Sequence, residues 1–86
     1  MDEFVKELDR EHAKIIIAKD IRKYNKPVTV ISGLQDGKEI AKKMKGKIGT
    51  GGTFKDGQII LQGDHRQAAK DLLVYMGFSE DSIEVM

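Results

Sequence analysis

Residues 49–66 read GTGGTFKDGQIILQGDHR, and three local decisions inside this stretch determine the fold. The first is Asp56-Gly57. An Asp-Gly pair supplies two consecutive positive-φ positions, which a two-residue hairpin turn requires, so residues 50–62 are predicted to form a β-hairpin. The second is the glycine cluster at 49–52. A phosphate-binding loop runs from strand to helix and ends in Gly-Lys-Ser/Thr. Here the order is reversed, from helix to strand, and the glycines read as a tight passage at small-residue positions. The third is Gly63-Asp64-His65-Arg66. Asp64 could orient His65 in a catalytic triad, yet adjacent residues at a helix start point in different directions, and the chain has no cysteine. A helix start explains residue type and spacing together. Asp64 is expected as N-cap, Gln67 at the third helical position completes a capping box, and Gly63 lets the strand bend. Asp64 also favours the positive end of the helix dipole. No catalytic residues are expected, and the chain is read as a non-enzyme.

Working outward, the helix begun at Asp64 has Ala69, Leu72, Leu73 and Met76 on its inner face. Gly77 stops it, with Phe78 placed to cover the end as in a Schellman motif. Residues 82–86, SIEVM, close the chain with a short strand. Upstream, Asp36 with Glu39 three residues later signals another capped helix start. Ile40, Ala41, Met44 and Ile48 form its buried stripe. AKIIIAK at 13–19 and VTVIS at 28–32 read as strands, joined by the charged connection 20–26, in which Pro27 biases Lys26 away from helix. The order β-β-α-β-β-α-β implies an α+β fold. It is a two-layer α/β sandwich, with two helices on one face of a five-stranded, mainly antiparallel sheet. Residues 1–12 read as a partly flexible extension and 13–86 as one domain.

The chain has 86 residues and a net charge of +1, but the charge is polarised. Residues 14–47 carry ten cations against three acids, whereas the segments on either side are each net acidic. Such asymmetry fits a local electropositive surface facing a polyanion. The cations cluster at the hairpin tip (Arg22, Lys23, Lys26, with Tyr24 and Asn25) and on the first helix (Lys42, Lys43, Lys45, Lys47). Lys55 beside the second hairpin turn is a weaker candidate. His65 and Arg66, unspent by capping, are expected to lie exposed on a first helical turn, either solvated or touching RNA. His12 and His65 have no metal-ligand spacing, and neither metal nor cofactor is expected. No apolar run approaches the ~20 residues that span a bilayer, and no signal peptide follows Met1. A soluble, cytoplasmic, monomeric protein without a membrane partner is expected.

KPVTVISGL (26–34), then GTGGTFKDGQIILQGDHR (49–66), LLVYMGF (72–78) and a final IEV (83–85) together resemble the eukaryotic and archaeal translation initiation factor 1 family. The resemblance runs from about residue 15 to residue 86 in the family's own order. The intact Asp-His-Arg form is similar to archaeal members. Thr50 stands where many members have cysteine, and Asp20 and Ile21 stand where basic residues are usual. The resemblance implies a non-enzymatic factor. Such a factor binds the small ribosomal subunit near the P site and promotes accurate selection of start codon and initiator tRNA. It implies that Arg22, Lys23, Tyr24, Asn25 and Lys26 approach rRNA and the P-site tRNA. Arg and Lys would neutralise phosphates and Asn25 would bond to a sugar or base edge, with Tyr24 stacking on a base or packing at the strand end. The implied partners are small-subunit rRNA, the initiator tRNA and mRNA, and other initiation factors. A general RNA-binding or ribosome-associated regulatory module of the same fold is the alternative. A docking module acting through acidic residues such as Glu80 and Asp81 is a third reading.

Overall fold

A computed structural model describes residues 14–86. The expected extension at 1–12, and His12 within it, lie outside the described residues. The elements run β1 (Ile15–Arg22), a 3₁₀ turn (Lys23–Asn25), β2 (Lys26–Ser32), α1 (Gly37–Ile48), β3 (Gly52–Lys55), β4 (Gln58–Gln62), α2 (Arg66–Tyr75), a second 3₁₀ turn (Glu80–Ser82) and β5 (Ile83–Val85). The strands form one sheet in the order β3-β4-β2-β1-β5. All pairings are antiparallel except β1 with β5, which is parallel. This is the expected α+β architecture, with a mixed, mostly antiparallel sheet.

Register follows from burial. Ile17 faces Ile31, Ile31 faces Ile59, and Thr29 faces Leu61. With Ile15 and Ile83, these residues place one set of alternate positions on the core face. A one-residue slip would turn that whole set to solvent. Onto it pack Ile40, Ala41 and Met44 of α1 and Ala69 and Leu73 of α2, with Ile48, Leu72 and Met76 partly buried beside them. Each fully buried Ile, Leu or Met here contributes roughly 1.5–3 kcal/mol by leaving water. The other face of the sheet carries Ile16, Ala18, Val30 and Ile60, all half-buried.

Both predicted turns form, whereas the predicted capping boxes do not. Asp56 (φ 52°) and Gly57 (φ 77°) form the expected tight turn between β3 and β4, with Lys55 paired to Gln58. At the end of α2 the Schellman geometry is complete. Gly77 (φ 104°) donates to Val74 O at 3.0 Å, and Phe78 N donates to Leu73 O at 3.0 Å while its ring is buried. The capping boxes, in contrast, do not form. Asp36 does precede α1, and its carbonyl accepts from Ile40 N at 3.1 Å, but its side chain makes no cap bond. Its ψ of 39° lies outside the extended region from which an N-cap side chain reaches the first free N–H groups. Asp64 is not the N-cap of α2 at all; His65 holds that position. The strand boundaries also move. β1 continues through Asp20 to Arg22 and β2 begins at Lys26, so the charged connection is itself mostly strand.

Candidate nucleic-acid interface

The long first hairpin makes an arm. β5 pairs only with Ile15–Ile17 of β1, and β4 pairs with β2 only as far as Val28. Beyond those points β1 and β2 have only each other, so both faces meet solvent and charged residues are tolerated in a strand. Three residues, Lys23, Tyr24 and Asn25, join Arg22 to its partner Lys26. Tyr24 (φ 63°) and Asn25 (φ 56°) are both left-handed. Asn adopts that conformation readily, whereas a bulky residue does so at a cost. Residues 22–26 are all exposed, Tyr24 by 89%.

The arm's charges are poorly compensated. Arg22 stands directly across from Lys26, a like-charge cross-strand pair that disfavours the hairpin. Arg22 Nε lies 3.3 Å from Asp20 Oδ2, with both side chains about half exposed. Among the described residues no acid pairs with Lys23 or Lys26. Asp20 therefore neutralises part of one tip cation and leaves two.

The remaining candidates are distributed over the surface. On α1, Lys42, Lys43 and Lys47 are exposed, but Lys45 is half-buried rather than fully on an outer face. Lys42, Lys43 and Lys47 border a groove of about 730 Å³ between α1 and α2, together with Asp36, Glu39 and Tyr75. This face thus mixes both signs of charge. Thr50 Oγ1 donates to Gln62 O at 2.7 Å, which ties the C-terminal end of α1 to the arm end of the sheet. Lys55 lies at the opposite end. It pairs with Gln58, which stands across from Ser32, roughly 20 Å along β2 from Lys26.

The Gly63-Asp64-His65-Arg66 corner resolves into a structural knot. Thr29 is the one buried polar side chain of the described core, at 0% exposure. Its hydroxyl donates to Gly63 O and accepts from His65 N, both at 2.8 Å. The corner between β4 and α2 is therefore held from the middle of β2. The His65 ring packs over Gly63, where a Cβ would stand 2.8 Å from its Nε2. The Asp64 carboxylate accepts two bonds from Arg66, from Nε at 2.8 Å and Nη2 at 3.0 Å. Arg66 Nη1 donates to Met86 O at 2.8 Å, and Met86 N donates to Ile17 O at 2.8 Å. The bidentate, charge-assisted fork outcompetes capping for Asp64, and Gln67 bonds instead to Asp71 at 2.9 Å. Both His65 and Arg66 are half-buried, against the expectation of exposure. Arg66 commits its guanidinium to Asp64 and to Met86 O, and Asp64 is engaged by Arg66 rather than by His65. Thr29 went unnoticed in the sequence, although a threonine inside VTVIS in phase with Ile31 is a detectable signal.

The Arg66 guanidinium holds the Asp64 carboxyl below its usual value through hydrogen bonding first and charge second. A carboxylate lowered in the folded state stabilises the fold fully above its unfolded pKa of about 3.9, and that contribution is lost as pH falls through the folded value. Asp64→Asn is therefore expected to lower Tm at neutral pH and to flatten the decline of Tm below about pH 4, as circular dichroism melts across an acid series would show.

The family model described as "Translation initiation factor SUI1" matches residues 11–79, from the approach to β1 through the end of α2. A Pyrococcus furiosus "Protein translation factor SUI1 homolog" is 47% identical over 90 aligned residues, covering 99% of this chain and 92% of that protein. The Hyperthermus butylicus protein of the same description is 42% identical, covering 98% and 85%. A third, from Nitrosopumilus maritimus, is 45% identical, covering 92% and 81%. The match spans the arm, both helices and the Thr29-stapled corner, so a model fitted to nearly the whole domain and relatives of nearly equal length agree: the chain belongs to the translation initiation factor SUI1 family.

Proposed function

We propose that this translation initiation factor binds the small ribosomal subunit near the P site through its basic arm. From there it promotes accurate pairing of initiator tRNA with the start codon. The observation that carries this reading is the arm itself. Its tip places Arg22 across from Lys26, leaves Lys23 and Lys26 without an acidic partner among the described residues, and puts all of residues 22–26 in solvent. Folding gains nothing from that arrangement, whereas RNA phosphates would neutralise it. The same arm holds Tyr24 and Asn25, which can address unpaired bases and sugars, as single-stranded RNA recognition requires. Lys42, Lys43, Lys45 and Lys47 of α1 supply a secondary basic face, Lys55 a peripheral contact, and His65 and Arg66 mainly the framework behind the arm.

In physical terms, selection means binding one conformation of the initiation complex more tightly than another and so shifting their populations. The test is occupancy of small subunits by initiator tRNA on an AUG codon and on a near-cognate codon, with and without the factor. The factor is expected to lower near-cognate occupancy more than AUG occupancy. Equal occupancies in its presence and absence would sink this reading and favour a general RNA-binding module.

A further inference from the structure

A cleft of about 760 Å³ opens in the notch where β4 leaves β2. The notch is defined by the last rungs of that pairing: Val28 faces Gln62, and Gly63 N donates to Pro27 O at 2.9 Å. Past this rung only the two-stranded arm continues. Pro27 and Val28 supply the apolar lining, Gln62 supplies an amide, and Arg22, Lys23 and Lys26 supply the charge. Tyr24, the most exposed large apolar side chain among the described residues, completes the lining from the arm's turn. Among the described residues, no carboxylate lines the cleft. The similar-sized groove between α1 and α2 differs on this point, because Asp36 and Glu39 stand among its lysines.

From this composition, and resting on the proposed RNA contact of the arm, we infer that the cleft holds a single unpaired nucleotide of RNA. Its base would stack on Tyr24 over Pro27 and Val28, its edge would meet the Gln62 amide, and its phosphates would lie on the cationic rim. Each part of the cleft answers to one part of a nucleotide. An aromatic face and apolar carbon suit a π-surface. An amide that can both donate and accept suits a base edge, and cations without carboxylates suit phosphate. A volume within the roughly 300–1,000 Å³ of small-ligand sites suits one base better than a duplex. The left-handed backbone at Tyr24 (φ 63°) fits this role. Asn, Asp or Gly would occupy that position with less strain, and an exposed ring held there at a conformational cost points to a use outside the folded chain.

The experiment uses the full chain and two probes, a six-nucleotide oligoadenylate and a ribose-phosphate hexamer of equal charge without bases. NMR titration would give both dissociation constants. Removing the bases is expected to weaken binding roughly 5- to 160-fold, the range of one lost base–aromatic stack. Tyr24→Asn, which tolerates the left-handed backbone, should bring the two probes to nearly equal affinity. Tyr24→Trp should preserve the difference. Gln62→Leu should weaken the oligoadenylate and leave the abasic probe unchanged. Equal binding of the two probes to the unaltered chain would overturn the nucleotide cleft while leaving the arm as a phosphate contact. A difference between probes that survives Tyr24→Asn would overturn the cleft as well. Failure of both probes, together with loss of binding to small subunits, would remove the RNA reading on which the cleft rests.

Discussion

Thr29→Val is expected to cost about 2–4 kcal/mol, because it removes at once the acceptor of His65 N–H and the donor to Gly63 C=O. Valine keeps the shape and β-propensity of threonine, so neither packing nor strand preference accounts for a loss of that size. Two backbone groups in the corner lose their partner, and each such group costs roughly 1–3 kcal/mol when left unsatisfied; both bonds are only part-buried, which keeps the sum in the lower part of that range. Against a total stability of roughly 5–15 kcal/mol for such a domain, Tm should fall by about 8–32 °C. Urea unfolding would check it. The midpoint should drop with the slope unchanged, since the surface exposed on unfolding is the same. Thr29→Ser, which retains the hydroxyl, should recover most of the stability. A Thr29→Val variant as stable as the unaltered chain would mean that the Gly63–Arg66 corner is held by something other than β2.

Arg22→Glu/Lys23→Glu is expected to leave the fold intact and to weaken binding to small ribosomal subunits by at least about 25- to 60-fold at 0.1 M salt. The estimate follows from counterion release, in which each phosphate contact contributes a slope of about 0.7–0.9 to the salt dependence of the association constant. Two lost contacts should therefore flatten that slope by about 1.4–1.8. Both side chains are exposed and lie beyond the last β2–β4 pair, Val28 with Gln62, so a melting curve should be nearly unchanged. Arg22 does give up its pair with Asp20, but half-exposed surface pairs contribute little. Equal binding by the two proteins would transfer the interface away from the arm, with Lys42, Lys43 and Lys47 as the next residues to reverse.

The parts of this fold that were legible in the sequence are those set by local rules. Asp56-Gly57 names its own turn because an Asp-Gly pair between two strand-like runs supplies two positive-φ positions cheaply. Gly77-Phe78 names the end of α2 because the positive φ and the buried ring occur together. The stripe Ile40-Ala41-Met44 names the inner face of α1. What escaped is set by partners distant in sequence. Thr29 reads as one more strand residue until pairing places it beneath Gly63 and His65, 34 and 36 positions away. Asp64 reads as an N-cap until Arg66 offers a bidentate partner and Met86 fixes that guanidinium in place. Asp20, Ile21 and Arg22 read as a loop because strand patterning assumes one buried face, and the arm has none.

The same distinction applies to the candidate interface. Residues 22–26 were legible as a basic tip because composition alone marks them. The cleft behind them was not, because Gln62 and Val28 come together only through the register of β4 on β2. His65 and Arg66 drew attention as neighbouring chemical groups, yet one packs over Gly63 and the other clamps Met86.

The central claim is that the tip of the arm faces small-subunit rRNA at the P site, and a tethered cleavage probe tests it most directly. The chain contains no cysteine, so a single introduced thiol carries an iron chelate to one position. Asn25→Cys places it at the tip, and Gln35→Cys places it in the exposed loop that follows β2 at its opposite end. In small-subunit complexes containing mRNA and initiator tRNA, the account predicts hydroxyl-radical cleavage of P-site rRNA from position 25 and little or none there from position 35. Cleavage at the P site from position 35 alone, or from neither position in complexes shown to contain the factor, would contradict it.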